Sequence, residues 1–216
     1  MGTDTEYRDF GHSIPGPGNG EIGRDLAEIF VGLTRRLDGV KHICDLGCGN
    51  GYLASRLGAC GFHVTGVDAS ESGLDIAGRH YATDKVKFVR AEIGADLKAI
   101  LLDGHRFDAV VSSDVIEHLY RPRALIEAAA ALLEPGGYLI VGTPYHGYLK
   151  NLAISVLGKW DSHHGVHWDG GHIKFFSMRT LRDLVARHGF QDLTFHCYGR
   201  FPWLWKHMVC VARRGD

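Results

Sequence analysis

A strand that runs into a glycine-rich turn constrains the fold of this 216-residue chain more than any other feature. The apolar strand begins near Val40 and reaches Asp45, and glycines then occupy alternate positions at Gly47, Gly49 and Gly51. An apolar segment with helical spacing follows at once. This order of strand, glycine turn and helix is the geometry of a nucleotide-type ligand site, because glycine accepts positive φ and lets the backbone approach a ligand.

The spacing of the glycines separates this turn from a dinucleotide-binding fingerprint. That fingerprint reads G-x-G-x-x-G, and Tyr52 stands where its third glycine is expected. The order D-x-G-x-G-x-G instead resembles the first motif of class I S-adenosylmethionine (SAM)-dependent methyltransferases. The resemblance implies that Asp45 contacts the amino-acid part of the cofactor SAM. It also implies that Gly47, Cys48 and Gly49 let the cofactor lie against the turn.

An acidic residue ends the next predicted strand, residues 62–68. Asp68 lies about 20 residues after the glycine turn, where Rossmann-like folds place a ribose-binding carboxylate. A carboxylate can accept both ribose hydroxyls, so we expect Asp68, with its neighbour Ala69, to bind the cofactor. The alternative is that Asp68 caps the next helix, since Ser70 and Glu71 have the composition of a helix start.

A third predicted strand ends in Glu92 and Ile93. In the resembling family an acidic residue at this place binds the adenine amino group, and its apolar neighbour covers the ring. The resemblance therefore implies these roles for Glu92 and Ile93. Asp96, flanked by Ala95 and Leu97, is close enough in sequence to compete. The alternative without a ligand is a solvated carboxylate at the end of a strand.

Two further elements complete the resemblance. Residues 107–114 have the pattern of a central parallel strand, and its carboxyl end, with Ser113, lies where open α/β sheets bind ligands. The Ile-Glu-His-Leu segment at 116–119 resembles the signature of the branch that contains ubiquinone-pathway O-methyltransferases. Residues 133–141 resemble the family's L-x-P-G-G turn and the strand after it. Five elements in the family's order cover residues 40–143 and together form a specific signal.

The alternation of strands and helices implies a parallel sheet with helices on both faces. The predicted fold class is α/β, a Rossmann-like, doubly wound, mostly parallel sheet with an antiparallel last strand and a cap insertion after the fifth strand. We expect a single methyltransferase domain over residues 1–216. Its expected parts are an N-terminal lid or tail, a cofactor-binding core and a substrate-side insertion, at 1–20, 40–142 and 143–178.

The first 20 residues are polar and rich in glycine and proline, which is typical of a loop. In the resembling family this segment often closes over the cofactor, and Tyr7, Phe10 and His12 are candidates for such a lid. A mobile tail is the alternative. Apolar spacing predicts a helix over 21–37. The C-terminal pattern predicts one helix and two strands, at 180–188, 191–198 and 206–213.

The composition limits the possible partners. A net charge of −1 gives no strong field for nucleic acid or an anionic membrane. The five cysteines have no metal-type spacing, and we interpret them as reduced residues of a cytoplasmic protein. We expect no signal peptide and no bilayer-spanning segment, and hence no stable membrane insertion. The oligomeric state stays open between a monomer and a homodimer.

Methyl transfer to a hydroxyl needs alignment of the acceptor and removal of its proton by a base or a metal. These groups are expected in the loops after the fourth and fifth strands. A histidine is the first choice as base because its pKa lies near neutrality. The candidate catalytic residues are, in order, His146, His118 and Tyr145. The candidate acceptor-binding residues are Glu117, Thr143, Lys150, His167 and His172.

The predicted insertion is rich in histidine, of which the chain has 14. One interpretation makes His146 or His118 a general base, and another treats the histidines as ordinary loop residues. In a third, two or three loop side chains bind a divalent metal that holds a diol acceptor. The candidate ligands for that metal are Asp161, His163, His164, His167 and Asp169. Their irregular spacing disfavours a metal site, and none is predicted.

Apolar residues at helical spacing predict a helix over 148–160. This helix either caps the acceptor pocket or makes a weak contact at a membrane interface, from which a lipid-like acceptor could be reached. The aromatic segment 201–205 could join such an interfacial patch, form a dimer contact or line the pocket.

The sequence as a whole predicts an enzyme that transfers a methyl group from SAM to a small molecule by in-line displacement, leaving S-adenosylhomocysteine. A hydroxyl acceptor is the first choice, because the Glu-His-Leu signature and the nearby histidines suit deprotonation, and small-molecule biosynthesis is the expected setting. The alternatives are N-methylation of a small amine and a SAM-binding regulatory protein without catalysis. A nicotinamide oxidoreductase predicts a glycine at position 52 and a substrate domain, and neither is found.

Overall fold

The structure is a computed structural model that describes residues 14–17, 20–94, 100, 106–164, 167 and 170–215. The chain divides into two compact units, Met1–Asp103 and Gly104–Asp216. Some residues named above lie outside the described residues, namely Tyr7, Phe10, His12, 95–97 and Asp169.

The first unit alternates helices and strands. The helices are α1 (Glu21–Thr34), α2 (Tyr52–Ala59) and α3 (Glu71–Tyr81), and the strands are β1 (His42–Leu46), β2 (His63–Asp68) and β3 (Val86–Arg90). The strands are parallel, with β2 between β1 and β3. In this register Ile43 pairs with Val64 and Val64 with Val86, so three buried apolar residues lie side by side.

The local sequence explains how these elements begin and where they lie. Every residue of β1 after His42 is buried, as expected of a central parallel strand that is covered on both faces. Ser70 caps α3, because its side chain accepts a hydrogen bond from the Gly73 N–H at 2.9 Å. The cap fixes the start of α3 at Glu71, three residues after Asp68 at the carboxyl end of β2.

The second unit contains the other four strands. They are β4 (Phe107–Ser113), β5 (Leu133–Pro144), β6 (Phe190–Tyr198) and β7 (His207–Arg214). Its helices are a short 3₁₀ helix (Ile116–His118), α4 (Arg123–Leu132), α5 (Tyr148–Val156), α6 (Trp160–His164) and α7 (Met178–Ala186). Strand β5 pairs with β4 in parallel and with β7 antiparallel, and β6 pairs antiparallel with β7.

Within the first unit the strands lie in the order β3-β2-β1, and within the second in the order β4-β5-β7-β6. In both units strands alternate with helices up to β6, as in doubly wound α/β folds. The final strand, β7, runs antiparallel between β5 and β6. The predicted fold class is therefore confirmed, including the reversed last strand.

Two predicted elements differ from the observed ones in a way that affects the candidate site. The helix predicted over 148–160 is interrupted, because Gly158 has a left-handed backbone with φ 61° and separates α5 from α6. The third strand ends at Arg90, so Glu92 and Ile93 follow it rather than ending it.

Two further boundaries were wrong by a few residues. The first helix ends at Thr34 rather than at residue 37. Helix α7 begins at Met178, earlier than predicted, because Ser177 and Thr180 form a capping box. Within the described part of the chain, no helix combines the length and hydrophobicity that crossing a membrane requires.

Candidate active site

Backbone hydrogen bonds anchor the glycine turn after β1 to the end of β2. The N–H groups of Gly47 and Cys48 both donate to the Val67 carbonyl, at 2.8 and 3.0 Å. Gly47 and Gly49 have φ of 79° and 52°, in the left-handed region that favours glycine. The predicted cofactor-binding turn therefore lies at the carboxyl ends of two adjacent parallel strands.

Asp68 joins the turn to the next helix. Its Oδ2 accepts a hydrogen bond from the Gly49 N–H at 2.8 Å, and its Oδ1 accepts one from the Ser70 N–H at 2.7 Å. Asp68 thus orders both the turn and the start of α3, as the capping alternative anticipated in part. The predicted contact of Asp68 with a ribose remains a prediction.

Asp45 is a buried carboxyl with an unsatisfied oxygen. The residue is 1% exposed, and among the described residues none forms a hydrogen bond with its Oδ2. Burial, followed by the charge of Asp68, raises the pKa of Asp45 to about 7. A hydrogen bond with the Ala54 backbone partly opposes this rise. A buried polar atom without a partner is costly unless a ligand completes it. The α-ammonium group of SAM is a cation that fits this oxygen.

The other predicted cofactor residues differ in their exposure. Cys48 is buried in the turn, Ala69 and Ile93 are half-buried, and Glu92 is exposed beyond the end of β3. Ser113 is half-buried at the carboxyl end of β4, in the second unit. Their roles remain predictions.

Asn50 is a residue of this turn that sequence reasoning missed. Its side-chain amide donates to the carbonyls of Ile14 and Gly16, at 3.1 and 2.8 Å, and its Oδ1 accepts from the Tyr52 N–H. Asn50 therefore ties the described end of the predicted N-terminal lid to the glycine turn. An asparagine between two turn glycines was the only signal in the sequence.

In the second unit, Glu117 adjoins two other candidate acceptor residues, Thr143 and His172. It is 1% exposed in the 3₁₀ helix after β4, and its Oε2 accepts a hydrogen bond from Thr143 Oγ1 at 3.0 Å. Burial, followed by the charge of Asp114, raises the pKa of Glu117 to about 8. The structure therefore brings two predicted acceptor residues, Glu117 and Thr143, into direct contact.

His118 and His172 adjoin this carboxyl group. Their rings contact edge to face with centroids 4.9 Å apart, and His172 Nε2 lies 4.0 Å from Glu117 Oε1. Burial lowers the pKa of His118, and burial followed by the charge of His118 lowers the pKa of His172 to about 4. Asp114 Oδ1 lies 3.4 Å from His207 Nε2. The sequence did not predict this contact between Asp114 and His207.

His146 lies in a second histidine group. It is buried, its Nδ1 lies 3.3 Å from Asn151 Oδ1, and its ring lies 4.9 Å from that of Phe175 and 5.7 Å from that of His164. Burial, followed by the charge of Lys150, lowers the pKa of His146 to about 4. His146 is therefore neutral at pH 7, as a proton acceptor must be.

The remaining candidates are arranged differently. Lys150 is buried and its Nζ donates to the Tyr145 carbonyl at 2.7 Å, while burial, followed by the charge of Arg200, lowers its pKa to about 8. The Tyr145 ring packs edge-on against Trp205, with centroids 5.3 Å apart, and burial raises the pKa of Tyr145. His167 is exposed.

Helix α5 leaves most of its apolar side chains in solvent. Its exposed members are Tyr148, Leu149, Leu152 and Val156. Phe201 and Trp203, in the predicted aromatic segment, are also exposed. The choice between a cap helix and an interfacial helix stays open.

Comparison with known proteins gives the family. The "Methyltransferase domain" family matches residues 19–194, which is most of the chain. The chain is 30% identical over 195 residues to the ubiquinone biosynthesis O-methyltransferase of Roseobacter denitrificans, covering 87% of this chain and 73% of that protein. It is 32% identical over 144 residues to the protein of the same name from Coxiella burnetii strain RSA 331, covering 56% of this chain and 61% of that protein.

A solved structure agrees with the fold. The magnesium protoporphyrin IX methyltransferase of Synechocystis PCC 6803 with bound SAH matches at a TM-score of 0.64 and 19% identity, covering 95% of this chain and 91% of that chain. At this identity the likeness shows the fold alone. The family match, the relatives and the turn with its unsatisfied Asp45 oxygen agree. The chain belongs to the class I SAM-dependent methyltransferases, enzymes whose cofactor is SAM.

Proposed function

We propose that this methyltransferase acts on a hydroxyl group of a small-molecule acceptor. The observation that carries the proposal is the presence of two neutral histidines after β4 and β5, the half-buried His118 and the buried His146. A hydroxyl must lose its proton as it is methylated, and a neutral imidazole can accept one. When bound, SAM supplies the methyl group as an electrophile.

We propose His146 as the first candidate for the base. A carboxamide oxygen only accepts hydrogen bonds, so the contact with Asn151 Oδ1 places the His146 proton on Nδ1. The lone pair then lies on Nε2, the nitrogen that would take the acceptor's proton. The surrounding rings and the nearby Lys150 ammonium keep this imidazole neutral.

His118 and Tyr145 remain behind His146 as catalytic candidates. Burial lowers the pKa of His118, which keeps it neutral and able to accept a proton. The raised pKa of Tyr145 keeps its phenol protonated at neutral pH, which suits a hydrogen-bond donor better than a base. On the acceptor side we propose Glu117, Thr143 and His172.

The relatives' names support a hydroxyl acceptor. Both relatives described above are named ubiquinone biosynthesis O-methyltransferase. The chain spans 73% and 61% of their lengths, and their whole activity is therefore a proposal for this chain. We propose a phenol with two adjacent hydroxyls as the first acceptor class to test. Lys150 and His167 are kept as weaker candidates for acceptor contacts.

The test is a comparison of hydroxyl acceptors with matched amines. Purified protein is incubated with SAM and either catechol-type phenols or the corresponding 1,2-diaminobenzenes, and the methylated products are identified by mass spectrometry. The proposal expects a product 14 mass units heavier from the phenols, with S-adenosylhomocysteine formed in equal amount. Methylation of the amines alone would overturn the hydroxyl proposal in favour of N-methylation.

A further inference from the structure

We propose that Glu117, His118 and His172 form a binding site for a divalent first-row transition-metal ion of the Zn²⁺ type. Each residue offers one ligand atom, and these atoms all lie within 4.8 Å of one another. This is the one such group of histidine, cysteine and acidic side chains within the described part of the chain. The metal hypothesis drawn from the sequence used a different set of residues, around His163.

The donor set suits such an ion. Two imidazoles and one carboxylate are a common ligand set for zinc and non-haem iron, and three protein ligands leave a position open for an exogenous oxygen. Ligand atoms bound to one tetrahedral zinc ion at about 2.1 Å lie about 3.4 Å apart. The three side chains would therefore converge by at most about 1.4 Å, through rotation of the partly exposed His118 and His172.

Glu117 supplies the independent indication of a ligand. The residue is 1% exposed, and its Oε1 forms no hydrogen bond with any residue that the structure describes. Its other oxygen is held by Thr143, so the unsatisfied oxygen has a fixed direction, with His172 Nε2 4.0 Å away. A buried carboxylate oxygen without a partner is costly, and a cation is the group that satisfies it best.

The backbone holds the two parts of the site together. The carbonyl of Glu117 accepts hydrogen bonds from the N–H groups of Ile173 and Lys174, both at 3.0 Å. His118 Nδ1 lies 3.3 Å from the Gly171 carbonyl oxygen. These bonds link the 3₁₀ helix after β4 to the segment that carries His172, although the two are more than 50 residues apart in the sequence.

The Gly171 contact also selects the tautomer of His118. A carbonyl oxygen only accepts, so Nδ1 carries the hydrogen and the lone pair lies on Nε2. A metal-binding imidazole usually donates its second N–H to a carbonyl or a carboxylate in this way. His118 is thus prepared as an Nε2 ligand before any ion binds.

The neighbouring histidine group is a poorer site for the same ion. His146, His163 and His164 have ring centroids 5.0 to 5.8 Å apart. All three are imidazoles, so none of these ligands would balance the positive charge of the ion. At the Glu117 site, by contrast, one of the three ligands is a carboxylate.

If the proposed function is correct, the open position of the ion would bind the acceptor's hydroxyl and lower its pKa, since a bound cation stabilises the oxyanion. This consequence rests on the proposed function, whereas binding of the ion does not. The site is therefore tested by metal binding alone.

The experiment is a titration of chelator-treated, full-length protein with Co²⁺, a spectroscopic substitute for Zn²⁺, followed by visible absorption. Wild-type protein, E117Q, H172Q and the control H80Q are compared, since His80 is an exposed histidine of the first unit. We expect one Co²⁺ per chain in wild type and H80Q, with affinity at least about tenfold weaker in E117Q and H172Q, as expected for loss of one ligand.

Two outcomes would overturn the site. One is equal Co²⁺ affinity in all four proteins, which would place the ion elsewhere, and the other is no saturable binding in wild type. Binding of S-adenosylhomocysteine by E117Q and H172Q checks that each variant is folded. A failure of the acceptor assay with intact Co²⁺ binding would count against the proposed function and leave the metal site standing.

Discussion

The ionised Asp45 carboxyl, buried with an oxygen that has no partner among the described residues, destabilises the ligand-free fold. A pKa raised from 3.8 to about 7 makes the folded state less stable by about 4 kcal/mol once both states are ionised. This loss develops as pH rises from about 4 to about 7. We therefore expect ligand-free D45N to match the wild type near pH 4 and to be more stable at pH 8, as measured by urea unfolding.

The same variant should bind the cofactor product less well. D45N lacks the charge that would face the ammonium group, and we expect calorimetric titration to give an S-adenosylhomocysteine affinity at least about tenfold weaker, or about 1.4 kcal/mol. An Asn variant that bound the product as tightly as the wild type would remove Asp45 from the proposed cofactor site.

The lowered pKa of His146 predicts how the rate depends on pH. A base must be unprotonated, and a pKa lowered to about 4 keeps His146 neutral at all pH values above that. We expect kcat/KM to stay level as pH falls through 6.5 and to decline only near pH 4. H146N should lower kcat by about 10²- to 10⁴-fold, while H80N serves as the control. Full activity in H146N would show that His146 is not the base.

At the scale of elements, the glycine turn depends on close packing as well as on φ. A Cβ at Gly51 would lie 2.7 Å from the Ala77 Cβ and 2.8 Å from the Phe88 ring, and φ is 81°. Gly39 has nearly the same φ, 78°, but its Cβ would meet no atom within 4 Å.

These two glycines form a matched pair for mutation. We expect G51A to lower the free energy of unfolding by about 2–5 kcal/mol, since overpacking adds to the left-handed strain, and G39A by about 1–2 kcal/mol. Urea unfolding of both variants measures the difference. Equal losses of unfolding free energy in G51A and G39A would mean that α3 and β3 shift to accommodate the added methyl group.

How much of each element could be predicted depends on how local its cause is. Asp45, the turn glycines and Asp68 were placed correctly at the ends of β1 and β2, because strand and turn signals lie within a few residues. The break at Gly158 was missed, since apolar spacing continues across it. The contact of Glu117 with His172 could not be predicted, because it is formed by folding of segments that are distant in the chain.

At the scale of the whole molecule, the order of motifs was more informative than any single one. The five predicted elements correctly indicated a mostly parallel sheet, and the reversed β7 was expected from the family resemblance, with which the last two predicted strands agreed. The division into two compact units, Met1–Asp103 and Gly104–Asp216, had no counterpart in the sequence pattern. The division depends on which residues contact each other in the folded chain, and the spacing of apolar residues does not predict those contacts.

Buried titratable groups of both units set the pH dependence of stability of the whole chain. Burial raises the pKa of Asp45 to about 7 and of Glu117 to about 8, so above their unfolded values the folded state holds more protons at these groups. His146 and His172 act in the opposite direction, since their pKa values are lowered from 6.5 to about 4. His118, whose pKa burial also lowers, adds to their effect, so below about pH 6.5 the histidines oppose the two carboxyls, and well above pH 6.5 they are neutral in both states.

Above about pH 6.5 the two carboxyls therefore dominate the pH dependence of the unfolding free energy of the ligand-free, chelator-treated protein. That free energy should fall by about 2 kcal/mol between pH 6.5 and 8, at about 1.4 kcal/mol per proton and pH unit. E117Q should remove most of this fall, because Glu117 keeps its proton up to a higher pH than Asp45 does. Urea unfolding at pH 6.5 and 8 tests both statements. If the unfolding free energy of the wild type instead rises between pH 6.5 and 8, the ionised carboxylates are stabilised in the fold. The buried oxygens of Asp45 and Glu117 would then not need a cation.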